Sequence, residues 1–154
     1  MSDLTAYEQD FHGWLLENAN FMRHQQWDQL DIDHLAEELE AMAKSEKREL
    51  VNRLSLLLMH LLKWQYQVPK RTRSWRNTIT TQRIDIKELL ADSPSLKPYL
   101  SEKLETAYQK AKLKAENETG IDQDQFPFAC PYSVDEVLKA DFLPDHSRTP
   151  GNSR

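Results

Sequence analysis

The feature that most constrains the fold of this chain is a regular leucine stripe in its middle third. Apolar side chains recur at steps of four, three, four and three residues, at Leu50, Leu54, Leu57, Leu61 and Trp64. This spacing places them on one face of an α-helix, where they need other helices to cover them. The stripe therefore predicts a long helix that packs against neighbouring helices.

The composition favours helices over strands. Of the 154 residues, 39% are hydrophobic and 29% are charged. This polar composition is typical of helices that have one solvent-exposed face. Glycine occurs three times, while good helix formers such as Leu, Glu, Lys, Gln and Ala are common. We expect an all-α fold in which one domain, over residues 1–143, is an antiparallel bundle. Residues 144–154 have the composition of a disordered tail.

The first half of the chain predicts two long helices. Apolar spacing indicates the first over residues 5–22, with Asn18 inside the apolar stripe as a buried hydrogen-bonding residue. Asp31 or Asp33 is the expected N-cap of the second helix, which reaches about residue 65. Its apolar seam should begin with the side chains of Leu35, Leu39 and Met42.

The second half predicts two more long helices and a short fifth one. Ser74 is the expected N-cap of the third helix, which ends near residue 91. Ser95 is the expected N-cap of the fourth, and Gly120 is the glycine that follows its last turn. Ser133 and Glu136 have the spacing of a capping box, which indicates a short helix there.

Charge is distributed unevenly along the sequence. Residues 1–40 contain ten acidic residues and one basic residue, whereas residues 41–91 contain eleven basic and four acidic ones. From Lys63 to Arg83 there are six basic residues and no acidic one. The second helix thus runs directly into a basic and aromatic segment.

The second and third helices should form a hairpin that brings this segment together. If the turn centres near residue 70, facing residues have numbers that add up to about 140, so Trp64 lies opposite Arg76. The candidate binding residues at this tip are His60, Lys63, Trp64, Arg71, Arg73, Trp75 and Arg76. Crowded cations favour an anionic ligand, such as a phosphate, a nucleic acid or an acidic partner. Alternatively, carboxylates of the same chain neutralise them and the tryptophans cap the core.

Other candidates for chemistry are weaker. His60 could act in acid–base catalysis, but the sequence shows no carboxylate within a helical turn. A neutral, buried histidine with a hydrogen-bond partner would need no special role. The pairs Glu8/His12 and His34/Glu38 each share a helix face, yet their hairpin register separates them by roughly 12 Å. We therefore expect no metal site and no cofactor. Cys130 is expected to be a buried small apolar residue.

Several short motifs together resemble a bacterial family of uncharacterised proteins, catalogued as domain of unknown function 29. In order along the chain, they are Tyr7-x-x-Asp10-Phe-x-x-Trp14-Leu, Leu35-Ala-Glu-Glu38, His60-Leu-Leu-Lys-Trp64, Arg73-Ser-Trp-Arg76, Ser93-Pro-Ser-Leu96 and Phe126-Pro-x-x-Cys-Pro131. The resemblance spans about residues 5–143. It implies an all-helical bundle, and it carries over no catalytic residues because the family has no assigned activity.

Three functions are compatible with these features. The first is a non-enzymatic interaction module that binds a protein partner or itself. The second is a nucleic-acid or phospholigand binder that uses the tip from Lys63 to Arg76, although a pI near 5.5 weighs against general nucleic-acid binding. The third is an enzyme that uses His60. The single cysteine, the absence of a basic, apolar leader and the lack of any apolar run of membrane-spanning length predict a cytoplasmic protein that does not enter membranes.

Overall fold

The computed structural model describes residues 6–145. These residues form six helices and no strand, so the predicted all-α fold is confirmed. The helices are α1 (Ala6–Gln9), α2 (Phe11–Arg23), α3 (Ile32–Tyr66), α4 (Arg73–Asp92), α5 (Lys97–Thr119) and α6 (Val134–Leu138). Four of them are long and α6 is short, as the sequence predicted. None of the helices in this described range is both long enough and apolar enough to cross a membrane.

The chain divides into two compact units, Met1–Ser45 and Glu46–Arg154. Helix α3 begins in the first unit and ends in the second. A single domain over residues 1–143 stays a prediction. Of the predicted tail, Pro144 is buried, and residues 146–154 lie outside the described residues, as do residues 1–5.

In the first unit, the predicted first helix is divided into α1 and α2 at Asp10. The Asp10 side chain accepts a hydrogen bond from the Gly13 amide at 3.0 Å and so caps α2. A Cβ atom at position 13 would lie 2.5 Å from an Asp10 carboxylate oxygen. A glycine is needed at position 13 because the Asp10 carboxylate that caps α2 leaves no room for a side chain there.

Buried Asn18 ties α2 to the start of α3, as predicted. Its side-chain oxygen accepts a hydrogen bond from the Asp31 amide at 2.9 Å, and its amide group donates to the Trp14 carbonyl at 2.9 Å. The Trp14 indole donates to the Asp31 carboxylate at 2.9 Å. These bonds fix the register of the helical hairpin in the first unit, because each one requires a particular pair of positions to face each other.

The same hairpin contains a histidine–carboxylate pair. His34 Nδ1 lies 2.7 Å from an Asp31 carboxylate oxygen, and the His34 ring stacks on the Tyr7 ring with centroids 4.1 Å apart. The hydrogen bond to Asp31 raises the pKa of His34, and the same bond lowers the pKa of Asp31. Tyr7 donates a hydrogen bond to Glu38, which raises the pKa of Tyr7 to about 12.

We expect the stability of this hairpin to depend on pH through His34. A raised pKa in the folded state means that the contribution of protonated His34 is complete below its unfolded pKa of about 6.5. That contribution is lost as the pH rises through the higher folded pKa. Asp31 acts at the acid end of the pH range. Because its pKa is lowered in the folded state, the contribution of ionised Asp31 to stability is lost as the pH falls through that lowered pKa. Thermal melts across neutral pH should show this loss in the wild type and not in His34→Gln; equal pH dependence of both proteins would contradict it.

The second unit is built around the second half of α3. The whole predicted stripe from Leu50 to Trp64 is buried, and so are Leu58 and Leu62 on other faces of the helix. The main apolar cluster also contains residues of α4, α5, α6 and the segment after α5, such as Ile86, Tyr108 and Val137. A helix buried on several faces is a central helix, which agrees with the predicted packing against other helices.

The stripe does not continue as a buried seam into the first unit. Leu39 and Met42, predicted to begin the seam, are each 65% exposed, while Leu35 is half-buried. The prediction was therefore wrong for these two residues. Apolar spacing shows which face needs a partner, but it does not show that the same chain supplies one.

Helices α3 and α4 form the predicted antiparallel hairpin. Arg53 on α3 forms an ion pair with Asp85 on α4 at 3.0 Å. Nearer the turn, the Arg76 guanidinium lies over the Trp64 ring, 5.5 Å from its centroid. The numbers of both pairs add up to about 140, as a turn centred near residue 70 requires.

Two of the predicted helix ends are confirmed and two are corrected. Gly120 follows α5 with φ 76°, and Ser133 forms a capping box with Glu136 at α6. Thr72, rather than Ser74, caps α4 by accepting a hydrogen bond from the Trp75 amide. Ser95 caps no helix, since it lies inside a 3₁₀ turn (Pro94–Leu96) that leads directly into α5.

Candidate anion-binding site

The tip of the α3–α4 hairpin is shaped by the residues of its turn. Helix α3 ends at Tyr66, where Pro69 follows within three residues and favours a short 3₁₀ turn (Val68–Lys70). Thr72 then caps α4 with its hydroxyl. As a result, Arg71 lies directly before the cap, and Arg73 and Arg76 lie in the first turn of α4. Three guanidinium groups are thus brought to one end of the hairpin.

Trp64 organises two of these arginines. The guanidinium of Arg71 lies over the indole ring at 4.7 Å from its centroid, and that of Arg76 lies over it at 5.5 Å. Arg71 Nε also donates a hydrogen bond to the Trp64 carbonyl at 2.7 Å. The indole is 7% exposed. Attraction between the cations and the ring holds both side chains in place.

A cleft of 420 Å³ opens at this tip, lined by Trp64, Arg71, Thr72, Arg73 and Arg76. Among residues 6–145, no carboxylate oxygen lies within 4 Å of a guanidinium nitrogen of Arg71, Arg73 or Arg76. In addition, Arg71 Nη2 is buried without a hydrogen-bond partner. The cleft is therefore strongly positive, and the N-terminus of α4 adds to its positive potential.

A second cleft lies along α4. It measures 480 Å³ and shares Arg73 with the first cleft; its other lining residues are Ser74, Asn77, Thr78, Thr81 and Gln82. Hydroxyl and amide side chains dominate this wall, and Gln82 Oε1 is buried without a hydrogen-bond partner. Arg73 thus lies between the arginine cleft and a neutral polar surface that can donate and accept hydrogen bonds.

Lys63 and Trp75 were also predicted at the tip. The two side chains contact each other, and Glu118 neutralises the charge of Lys63. The Lys63 ammonium lies 2.5 Å from a Glu118 carboxylate oxygen and 4.5 Å from the centroid of the Trp75 ring. Lys63 is only 9% exposed. Of the two alternatives left open by the sequence, internal pairing thus describes Lys63, while the arginines have no such carboxylate among the described residues.

His60 is buried on α3 and lines neither of the two clefts. Its Nδ1 lies 2.9 Å from the Leu56 carbonyl oxygen, which makes Nδ1 the protonated nitrogen of the neutral ring. Burial lowers the pKa of His60, and the nearby Lys63 charge lowers it further. These surroundings favour a neutral histidine that packs in the core.

Within residues 6–145, no three His, Cys, Asp or Glu side chains lie close enough together to hold a metal ion. Cys130, expected to be buried, is half-buried; its backbone amide donates a hydrogen bond to the Glu105 carboxylate at 2.9 Å, and its thiol donates one to the Tyr132 carbonyl oxygen at 3.4 Å.

The tip residues are part of a chain whose family can be identified. The model of the family named domain of unknown function DUF29 matches residues 6–143. The chain belongs to the DUF29 family. Comparisons with curated proteins and with solved structures find no significant match. The sequence motifs noted above thus indicated the right family, and the function of this DUF29 protein has to be argued from its own residues.

Sequence reasoning missed three parts of this region. Glu118 neutralises Lys63 from 55 positions further along the chain, and nothing local to Lys63 indicates it. Thr72 was missed as the N-cap of α4. Threonine is a common N-cap residue, and its hydroxyl accepts a hydrogen bond from the backbone amide three residues further along. Arg83 was counted with the basic segment but is buried elsewhere, at the end of α6.

Proposed function

We propose that this DUF29 protein is a non-enzymatic interaction module whose arginine cleft binds an acidic segment of a protein partner. One observation carries the proposal: Arg71, Arg73 and Arg76 converge on a single cleft without a carboxylate among the described residues. Like charges held close together destabilise a fold unless an anion lies near them. A bound carboxylate would relieve this repulsion.

The chemistry of the cleft suits carboxylate groups. A guanidinium presents a planar set of donors that matches a carboxylate with two parallel hydrogen bonds. Arg71 Nη2 has such a donor unused. The neutral hydroxyl and amide groups of the adjoining cleft would bond to the backbone of an extended peptide. These features support recognition of a peptide rather than of a single small anion.

The aromatic faces at the tip count against a nucleic acid. Single-stranded nucleic acids usually bind by stacking their bases on open aromatic rings. Here the Trp64 ring is covered by Arg71 and Arg76, and the Trp75 ring by Lys63. The chain also carries a net charge of −5, which would repel a polyanion away from the tip. An acidic protein segment needs no open aromatic ring, and a short one keeps its charge at the tip, away from most of the negative charge of the protein.

Binding of labelled peptides tests the proposal. A fluorescent hexaglutamate peptide should bind the full-length protein, and a hexaglutamine peptide of equal length should not. The affinity should fall as the ionic strength rises, because the interaction is electrostatic and partly exposed. An oligothymidylate that binds more tightly than the glutamate peptide would redirect the proposal to nucleic acids. Equal binding of the two peptides would contradict it.

A further inference from the structure

Two buried side-chain atoms within residues 6–145 have no hydrogen-bond partner, and each belongs to a residue that lines one of the two clefts. Arg71, at the arginine cleft, has an unpaired donor in Nη2, and Gln82, at the second cleft, has an unpaired acceptor in Oε1. Buried polar atoms of folded proteins are almost always paired, because an unpaired one destabilises the fold. These two atoms are therefore candidates for hydrogen bonds to a ligand.

Arg73 relates the two clefts to each other, because it lines both of them. Gln82 follows Arg73 by nine positions on α4. At 1.5 Å per residue, the two positions are roughly 13 Å apart along the helix axis. An extended peptide covers that distance in about four residues, at about 3.3 Å each. One extended segment can thus reach from the arginines to Gln82.

We propose that the partner segment carries two recognition groups. The first is the carboxylate that the arginine cleft binds. The second, about four residues away, is the side-chain amide of a glutamine or asparagine, which pairs with the side-chain amide of Gln82. The acidic residue sets the register of the segment, so the pairing at Gln82 rests on the proposed function of the arginine cleft.

A primary amide suits Gln82 better than other donors do. It both donates and accepts, so it can form two hydrogen bonds with the Gln82 side chain. The last torsion of a glutamine side chain has a broad, two-fold profile, which lets the Gln82 amide turn toward a group in the cleft. A lysine would also donate, but the charge of Arg73 repels a second cation, and the remaining lining residues of this cleft are neutral.

Fluorescent peptides of equal length and charge test this pairing on the full-length protein. Glu-Glu-Ser-Gly-Ser-Gln has its amide four positions after the second acid, Glu-Glu-Ser-Gly-Ser-Leu lacks the amide, and Glu-Glu-Gln-Gly-Ser-Ser has it directly beside the acids. The first peptide should bind at least about fivefold more tightly than the other two. This ratio should stay constant as the ionic strength rises, although all three affinities fall, because salt does not screen bonds between neutral amides.

A variant of Gln82 tests which residue reads the amide. Gln82→Leu has a similar volume and no hydrogen-bonding group, so it should bind the first two peptides equally. Its melting temperature should be no lower than that of the wild type, because the change removes an unpaired buried oxygen. Gln125→Leu is the matched control, since Gln125 is exposed and lines neither cleft; it should keep the preference.

The outcomes separate this inference from the proposed function. Equal binding of the three peptides by the wild type would overturn the pairing at Gln82 and leave the proposed function standing. If neither these peptides nor hexaglutamate bind, both are overturned. A preference that persists in Gln82→Leu would also contradict the pairing. The peptide comparison uses the wild type alone, so it decides the matter even if Gln82→Leu fails to fold.

Discussion

Replacing Arg83 with methionine should lower the free energy of unfolding of the second unit by about 3–5 kcal/mol. Arg83 is 3% exposed and lies on α4, where its guanidinium reaches the end of α6. Its nitrogens donate hydrogen bonds to four backbone carbonyl oxygens: Val137 at 2.7 Å, Phe142 at 2.7 Å, Ala140 at 3.4 Å and Glu136 at 3.5 Å. The side chain thereby holds the C-terminal segment against the core.

The expected cost follows from the chemistry of those carbonyls. The last carbonyl groups of a helix have no partner inside the helix, and a cation at this end is favoured by the helix dipole. Burial lowers the pKa of Arg83, as expected for a charge taken out of water. Methionine has a similar length but no donor, so the buried carbonyls would lose their bonds while the packing volume is nearly kept.

Thermal denaturation should show the loss as a fall of roughly 10 °C in the melting temperature. Arg83→Lys should be intermediate, because one ammonium group cannot reach four carbonyls spread around a planar guanidinium. Arg48→Met is the matched control, since Arg48 is exposed on α3, and it should change stability by less than about 0.5 kcal/mol. A melting temperature of Arg83→Met equal to that of the control would contradict the structural role of Arg83.

Reversing the charge of Arg73 and Arg76 should abolish binding of an acidic peptide. Both side chains are exposed and line the arginine cleft. In Arg73→Glu with Arg76→Glu, two attractive contacts become repulsive, so the affinity should fall at least about 100-fold. The fold should be unaffected, because neither residue forms an ion pair with a carboxylate within residues 6–145. Fluorescence anisotropy measures the binding, and thermal melts check the fold.

A control of equal charge separates a local site from the overall charge of the protein. Lys97→Glu with Lys110→Glu changes the net charge by the same amount at two exposed positions of α5. This control should weaken binding only slightly, and the difference should shrink at high salt. Equal losses in the two double variants would contradict a specific cleft and leave only general electrostatic attraction.

The sequence predicted those features that depend on short stretches of chain. The leucine stripe on α3, the hairpin turn near residue 70 and the capping box at Ser133 each follow from residues that are close in number. Their geometry is decided by the helical repeat and by local hydrogen bonds. The same rules placed Trp64 opposite Arg76, and with that pair they outlined the candidate site.

The remaining features depend on packing between distant parts of the chain. Lys63 and Arg83 belong to one basic segment of the sequence, yet Glu118 pairs with the first and carbonyl groups after residue 135 surround the second. These partners come close because of the way α5 and α6 pack in the fold, and a pattern of neighbouring residues cannot predict that packing. Likewise, Leu39 has the spacing of a core residue, but only the structure reveals that it is exposed.

Nuclear magnetic resonance of the arginine side chains is the most direct test of whether the arginine cleft holds an anionic group of a partner. The Nε–Hε signals would be recorded while a glutamate peptide is added to the full-length protein. We expect saturable shifts of the Arg71, Arg73 and Arg76 signals, and constant signals for Arg48 and Arg53. Shifts of equal size at all arginines, or none at the three cleft residues while the peptide is bound, would contradict it.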